Sequence, residues 1–319
     1  MDKLEIVRLF LENELQLTPQ ALELVYQNQG KINDIISYAK EKGLWIIDGK
    51  FLEEFVKKEN REVLSHVEIV YPEEIREFSI EDVKKVLKER FEFLSKILLE
   101  NNTLSSVTSL SKVKKLKKGE EATVIGMVRD KTTYSVTLED FTSHETIQMD
   151  AKLVEKLFYD DVIAIRVKRE EEKLIGDKIF FPSLSFFRKP ATLAEEVIIS
   201  LPEIKVGNCS IQMLEKEIVR VYIDGFKIFL LDSTIVKMYK QKEEREIDAL
   251  ISLIERRHLN PSLFISKKLY KRDLFLIDEV PDAIIVTNAN EPFYKPYKSI
   301  NIFFLPTGRK LLLKGKKIE

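Results

Sequence analysis

Arg256-Arg257-His258-Leu259-Asn260-Pro261, followed by Ile277-Asp278-Glu279-Val280-Pro281-Asp282-Ala283-Ile284-Ile285-Val286-Thr287-Asn288-Ala289-Asn290, is the stretch whose reading decides the fold. Ala283 to Val286 is apolar at every position, and Leu274 to Ile277 and Ile300 to Leu305 are nearly so. Strands that lack alternation are buried on both faces, which predicts a sheet covered by helices or by a second sheet. Working back toward the N-terminus, Val197 to Ile199, Ile218 to Ile223 and Ile228 to Leu231 read as further strands of this kind. Between them and the quoted stretch, Ile247, Leu250, Ile251 and Ile254 share one face of a helix.

Upstream the apolar period changes to two. Thr123 to Val128, Tyr134 to Leu138, Thr146 to Met149, Val162 to Val167 and Leu174 to Phe181 are short β-rich runs, with a helical segment from Ala151 to Phe158 between the third and fourth. That order suits an OB-fold barrel, with a plain antiparallel sheet as the competing reading. Before it, Ser79 and Asp82 form a capping signal for a helix whose stripe is Val83, Val86, Leu87, Phe91, Leu94, Ile97 and Leu98. The first sixty residues read as a bundle of short helices. Thr18-Pro19 starts one, and Phe51, Leu52 and Phe55 gather around the lone Trp45. The expected domains are a helical module at 1–60, a linker at 61–78 with one strand at Val67 to Val70, a capped helix plus barrel at 79–185, and the sheet region at 186–319.

Composition removes several classes. Lys and Arg total 52 against 53 Asp and Glu, a net charge of −1, so any nucleic-acid contact is local or borrowed from a partner. The single cysteine, Cys209, excludes an intrachain disulfide and a Cys-rich zinc site. No apolar run approaches the ~20 residues of a membrane span and the start lacks a signal peptide, so a cytoplasmic protein without membrane contact is expected.

The pieces share an order that resembles the small subunit of archaeal family D DNA polymerase. Glu81-Asp82 through Arg90-Phe91 to Leu98 is similar to that family's helix before the barrel. Val124-Ile125-Gly126-Met127-Val128 and Leu138-Glu139-Asp140 are similar to its first barrel strands, and Asp160-Asp161-Val162-Ile163 and Phe181-Pro182 to the barrel exit. Pro202-Glu203-Ile204-Lys205-Val206-Gly207-Asn208 falls where the family carries Ser-Asp-Ile-His-Val-Gly-Ser, and Arg257-His258-Leu259-Asn260-Pro261 resembles its Arg-His-Leu-Ala-Pro segment. The fold this implies is α+β and multidomain: a helical module, an OB-fold barrel and a truncated calcineurin-like metallophosphoesterase sandwich.

Active members of the family are two-metal 3′→5′ exonucleases, and that chemistry needs carboxylates and neutral imidazoles around both ions. By the resemblance, the ligand positions here hold Glu203, Lys205, Asp232, Asn288 and Asn290. A lysine ammonium has no acceptor and repels a metal, while asparagine offers a neutral amide oxygen. A long insert with further ligands is missing between Asn208 and Glu217. The chain has three histidines, His66, His144 and His258, too few for such a centre and without ligand spacing. The family places a structural residue at His258, which implies a satisfied imidazole there.

The expectation is a non-catalytic accessory subunit with no metal and no cofactor. It would dock the catalytic large subunit in a heterodimer, reach DNA through that complex, and use its helical module to recruit another replication factor. Two alternatives stay open. One is a residual manganese-dependent exonuclease using Glu203, Asp232 and Asp282. The other is a free-standing OB-fold protein that binds single-stranded DNA through Lys112, Lys114, Lys115, Lys117 and Lys118, against a solvated-loop reading of that run. Tyr134, Phe141, Phe158 and Tyr159 are the barrel aromatics available for stacking, with Phe158 expected in the core. Lys310, Lys314, Lys316 and Lys317 form a second basic run, read as solvated.

Overall fold

The computed structural model describes residues 1–27, 29–55, 66–100, 103–184, 191–241, 244–314 and 317–318. The expected boundaries near 60 and 185 therefore fall next to or within stretches outside the described residues.

The N-terminal elements are α1 (Lys3–Glu12), β1 (Gln16–Leu17), α2 (Pro19–Gln27), α3 (Ile32–Glu41), β2 (Ile46–Ile47) and α4 (residues 49–55). Thr18 accepts the amide of Ala21 at 3.2 Å, which fixes the start of α2 at Pro19. Ile6, Phe10, Val25, Ile35, Ile36, Phe51 and Phe55 are among the residues that close a small core. Trp45 is not its centre. The indole is 76% exposed, because Trp45 sits in the turn into β2, whose parallel pairing with β1 turns Ile47 inward instead.

A strand, β3 (Val67–Val70), precedes α5 (Ile80–Leu99), β4 (Val107–Thr108) and α6 (Leu110–Val113). Although it lies in the expected linker, β3 pairs antiparallel with a C-terminal strand from Val67↔Ile223 to Val70↔Arg220 and becomes a sheet edge. Ser79 and Asp82 close a reciprocal capping box at the start of α5. Replacing Ser79 by Ala leaves the Asp82 amide unpaired and is expected to lower stability by about 1 kcal/mol, read as a shift of the denaturation midpoint.

Strands β5 (Glu121–Lys131), β6 (Ser135–Glu139), β7 (His144–Gln148), β8 (Val162–Glu170) and β9 (Lys173–Phe180) follow, with α7 (Ala151–Glu155) between β7 and β8. They pair in the order β5-β6-β7-β9-β8, and β8 pairs again with β5, so the sheet closes on itself. The closed interior holds Val124, Val136, Leu138, Ile147, Ile163 and Ile165. Gly126 faces Leu138, whose Cβ would lie 2.8 Å from any added Cβ, so a side chain there has no room.

The remaining chain forms two sheets. One joins β10 (Val197–Ser200), β11 (Glu203–Val206), β12 (Cys209–Gln212), β18 (Leu311–Lys314) and β19 (Lys317–Ile318). The other runs β16-β17-β15-β14-β13-β3, where β13 is Ile218–Ile223, β14 Phe226–Asp232, β15 Ala283–Ala289, β16 Phe293–Tyr297 and β17 Ile300–Pro306. Val197, Ile199, Ile204 and Val206 of the first pack against Val219, Val221, Leu230, Ile285 and Phe303 of the second. Helices α8 (Ser233–Tyr239) and α9 (Glu246–Glu255) cover the opposite face through Ile235, Leu250 and Ile254. The double burial expected from the unbroken apolar runs is thus supplied by a sheet on one side and helices on the other.

Leu274 to Ile277 is not a strand, in spite of its composition. Its carbonyls are captured elsewhere: the buried guanidinium of Arg220 on β13 donates Nε and Nη2 to Leu274 O at 3.1 and 2.8 Å, and also donates to Leu276 O. A segment whose carbonyls satisfy a guanidinium has fewer left for a ladder. Only the isolated Leu276 to His258 bridge remains.

Candidate functional site

The parallel strands β14 and β15 run in register from Ile228↔Ala283 to Asp232↔Thr287. Where they end, Asp232, Asn288 and Asn290, three of the positions expected from the resemblance, come together. Asp232 caps α8: its Oδ1 accepts the Thr234 amide at 2.9 Å and the Thr234 hydroxyl at 2.6 Å. Its Oδ2 accepts the Asn288 amide Nδ2–H at 2.8 Å. Asn288 stands at φ +54°, a left-handed conformation that asparagine tolerates better than most residues, at a register shift between Thr287 and Ala289. Its side-chain oxygen accepts the Thr307 hydroxyl at 3.1 Å, and its carbonyl accepts Ser233 Oγ at 2.8 Å. Lys237, one turn into α8, donates to Ser233 Oγ at 3.3 Å and to Asn290 Oδ1 at 3.4 Å.

Partial burial opposes ionisation of Asp232. Even so, the hydrogen bonds from Thr234 and Asn288 and the positive charge of Lys237 hold its carboxyl below the ordinary carboxylate range. The cation next to this carboxylate is an ammonium of the chain itself. Lys237→Met is expected to raise the Asp232 pKa, followed by the carboxyl resonance in a pH titration. The melting point should change by less than about 1 kcal/mol equivalent, as exposed pairs generally do.

Glu203 and Lys205 lie on β11, in the other sheet. Glu203 accepts the Ser210 hydroxyl, and Lys205 Nζ is 3.9 Å from Glu203 Oε1. Asp282 stands at the opposite end of β15 from Asn288. It is fully buried and accepts the Ala191 and Lys227 amides at 2.9 Å each. Five residues of strand place it roughly 16 Å from the Asp232 end. The alternative grouping of Glu203, Asp232 and Asp282 is therefore not brought together. Among the described residues no three His, Cys, Asp or Glu side chains group as a metal site would require. His66 lies 3.3 Å from Asp224 on the surface, His144 is exposed on β7, and His258 is buried far from both in sequence.

A cleft of about 490 Å³ opens beside the Asp232 and Asn288 end, lined also by Arg76, Pro202, Lys216, Glu217, Lys268 and Tyr270. Glu217 accepts from both Lys268 and Tyr270, so one wall is already satisfied internally. Lys237, Thr307 and Glu217 were not among the residues expected at this site. Asp232-Ser233-Thr234 carried a helix-start signal, but the others had none.

The segment Arg256 to Pro261 works elsewhere, as a fastening between α5, the closed sheet and the two packed sheets. Arg90, buried on α5, donates Nη2 and Nε to Asp273 Oδ2 at 2.8 and 3.2 Å and also reaches the Pro261 carbonyl. His258 sits on the same Asp273 oxygen through Nε2 at 2.8 Å, while its Nδ1 accepts the Asn260 amide at 3.1 Å. An imidazole that accepts on one nitrogen and faces a carboxylate with the other is neutral, with its proton on Nε2. Arg256 donates to Asp161 at 3.1 Å and lies against Phe158 and Phe181 of the barrel, 4.6 and 4.5 Å from their ring centres. Phe158 is thus partly buried at this junction, packed edge-to-face on Tyr239. Asp160 accepts the Leu263 amide at 2.8 Å.

Of the basic run, Lys114 pairs with Glu145 at 2.7 Å and Lys118 with Glu171 at 3.4 Å. Lys112, Lys115 and Lys117 are exposed and without an ion-pair partner among the described residues. Arg309 and Lys310 are exposed, and Lys314 pairs with Glu196 at 3.3 Å. Lys316 lies outside the described residues, as do the side-chain surroundings of Lys317.

These features define a mixed α+β protein in which one sheet closes on itself, two others pack face to face, and the strand ends carry a polar network closed by side chains. Over its whole length the chain is 21% identical to the DNA polymerase II small subunit of Thermoplasma acidophilum, across 69% of that protein. It is 28% identical to the DNA polymerase II small subunit of Pyrococcus furiosus over 144 residues, 41% of this chain and 24% of that one. The chain is a homologue of DNA polymerase II small subunits, in agreement with the family D resemblance. No family model matches it. Solved structures with local likeness include telomere capping protein Ten1 from Saccharomyces pombe, with TM-score 0.21, 18% identity, and 24% of this chain against 79% of that one. The hypothetical protein ygiW from E. coli is similar at TM-score 0.21 and 17% identity, over 24% of this chain and 88% of that one. Likeness at that level bears no weight on fold or function. No helix among the described residues is long and apolar enough to cross a membrane.

Proposed function

We propose that this chain is a non-catalytic accessory subunit of a family D-type DNA polymerase, which docks the catalytic large subunit and has lost the nuclease of its relatives. In this reading the closed sheet is an OB fold, and the paired sheets are a shortened, degenerate metallophosphoesterase domain. The strand order β5-β6-β7-β9-β8-β5, with α7 between the third and fourth strands, supports the first assignment. The domain division into 1–60, 61–78, 79–185 and 186–319 belongs to the same proposal. So does reading the first segment as the recruiter of a further replication factor.

The observation that carries the proposal is the internal closure of the strand ends. Asp232 bonds Asn288, Asn288 bonds Thr307, and Lys237 supplies the positive charge, at the positions where relatives need metal ligands. Side chains satisfied by one another hold the sandwich together without ions, and a retained scaffold without ligands suits docking. Co-expression with the large subunit, followed by purification on a tag carried by that partner, is the decisive test. Retention of this chain through the purification is the expected result, and its loss at the first wash would defeat the docking reading. Incubation of the purified chain with single-stranded DNA and manganese is expected to leave the ends intact. Trimming abolished by Asp232→Ala would instead establish a working nuclease.

A further inference from the structure

On the docking role proposed above, we infer that the cleft beside Asp232 and Asn288 is the seat of an extended peptide segment of the catalytic large subunit, anchored by one large apolar side chain packed on Leu214.

The cleft is sized and fixed for such a guest. Its volume of about 490 Å³ lies in the range of pockets that enclose a small ligand, with room for a few side chains and none for a folded surface. Both rims are tied down. Met213 N–H donates to the Pro202 carbonyl at 2.7 Å, and Leu214 N–H to Tyr71 Oη at 3.2 Å. On the other side Ile75 N–H donates to Leu269 O at 2.8 Å and Lys271 N–H to Glu73 O at 2.9 Å. Walls that are already ordered receive a guest without the entropy loss of arranging them.

The lining is divided in chemistry. Val219 and Leu230, paired across β13 and β14, form an apolar floor with Leu201 and Met213. Leu214 stands at the mouth 62% exposed, an apolar surface that a second apolar side chain would cover. The polar wall is closed within itself: Glu217 is held by Lys268 and Tyr270, and Asp232 by Thr234 and Asn288. Glu74, Arg76, Glu215 and Lys216 at the rim are exposed and have no ion-pair partner among the described residues.

Free charges of both signs around an apolar floor complement a peptide, whose backbone is neutral and whose flanking side chains bring both signs. Nucleic acid is disfavoured. Glu74, Glu215, Glu217 and Asp232 outnumber Arg76, Lys216 and Lys268 along the lining, so a run of phosphates meets net repulsion. Isologous pairing with a second copy of this chain would set one concavity against another.

The test is made in the assembled complex. The two chains are co-expressed with p-benzoylphenylalanine in place of Leu214, purified on a tag carried by the large subunit, irradiated, and the joined peptides sequenced by mass spectrometry. The expected product links position 214 to one contiguous stretch of the large subunit that contains a large apolar residue. In parallel, Leu214→Glu is expected to lower the ratio of this chain to the large subunit after a dilution wash about 10-fold, while Leu214→Met holds it at the parent value. Leu4→Glu, 72% exposed on α1, serves as the control and is expected to leave the ratio unchanged. Leu214 and Leu4 are exposed, so the fold survives each change. Loss of the parent chain at the first wash would defeat the docking role and this seat with it. Retention of the parent with equal retention of Leu214→Glu, with no link from position 214 to the large subunit, or with links scattered over several stretches, would leave docking intact and overturn the seat alone.

Discussion

Replacing Arg90 by methionine is expected to destabilise the protein by about 3 to 5 kcal/mol, because it leaves the buried Asp273 carboxylate without its cationic partner. Among the described residues Arg90 and His258 are the side chains bonded to Asp273, and Arg90 also reaches the Pro261 carbonyl. Burial disfavours the Asp273 carboxylate, but the charge and hydrogen bonds of Arg90 and the hydrogen bond from His258 drive its pKa far below the ordinary range. Removing Arg90 strands that carboxylate and one carbonyl in the junction. Arg90→Lys keeps the charge but not the fork that serves two acceptors, so an intermediate loss is expected. Denaturant midpoints of the three proteins measure this. A midpoint for Arg90→Met within experimental error of the parent would show that the junction does not carry the load assigned to it.

The second large effect is with pH. Burial, reinforced by the Arg90 charge and only partly offset by Asp273, lowers His258 from 6.5 to about 4. Between about pH 4 and 6.5 the unfolded chain therefore binds a proton that the folded one refuses. Stability then rises with pH across that window and levels off above it. The span of about 2.5 units corresponds to roughly 3 kcal/mol lost as pH falls from 7 to 4. Asp160 acts in the opposite sense, since burial raises its carboxyl, so the total curve mixes both contributions. The difference between the parent and His258→Gln isolates the imidazole: that difference should shrink toward low pH. Parallel stability curves from pH 4 to 7 would mean that His258 titrates normally in the folded state.

Much of the architecture was legible because it is written in local periods. The strands of the closed sheet, the capped α5 and the doubly buried β14, β15 and β17 all announce themselves through apolar spacing. Elements without such a period escaped: α8 is short, β16 mixes three aromatic residues with a lysine and a proline, and Leu274 to Ile277 looks like a strand but serves Arg220. Arg90 lay in plain sight at helical spacing from Val86 and Leu94, where a charged residue on an apolar stripe signals a buried partner. The partner, Asp273, is more than 180 residues away and left no trace in the local pattern.

By itself the sequence determined most of the elements, the likeness to DNA polymerase II small subunits and the residue types at Asp232, Asn288 and Asn290, since these depend on residue type and near spacing alone. Tertiary structure alone decided that Asn288 bonds Asp232, that Lys237 reaches Asn290, that Arg256 to Pro261 rivets two regions, and that the turn at Asp140 docks Leu110. Each is a pairing between residues far apart along the chain. Such pairings follow from how sheets stack and turns dock, and no window of neighbouring residues encodes them.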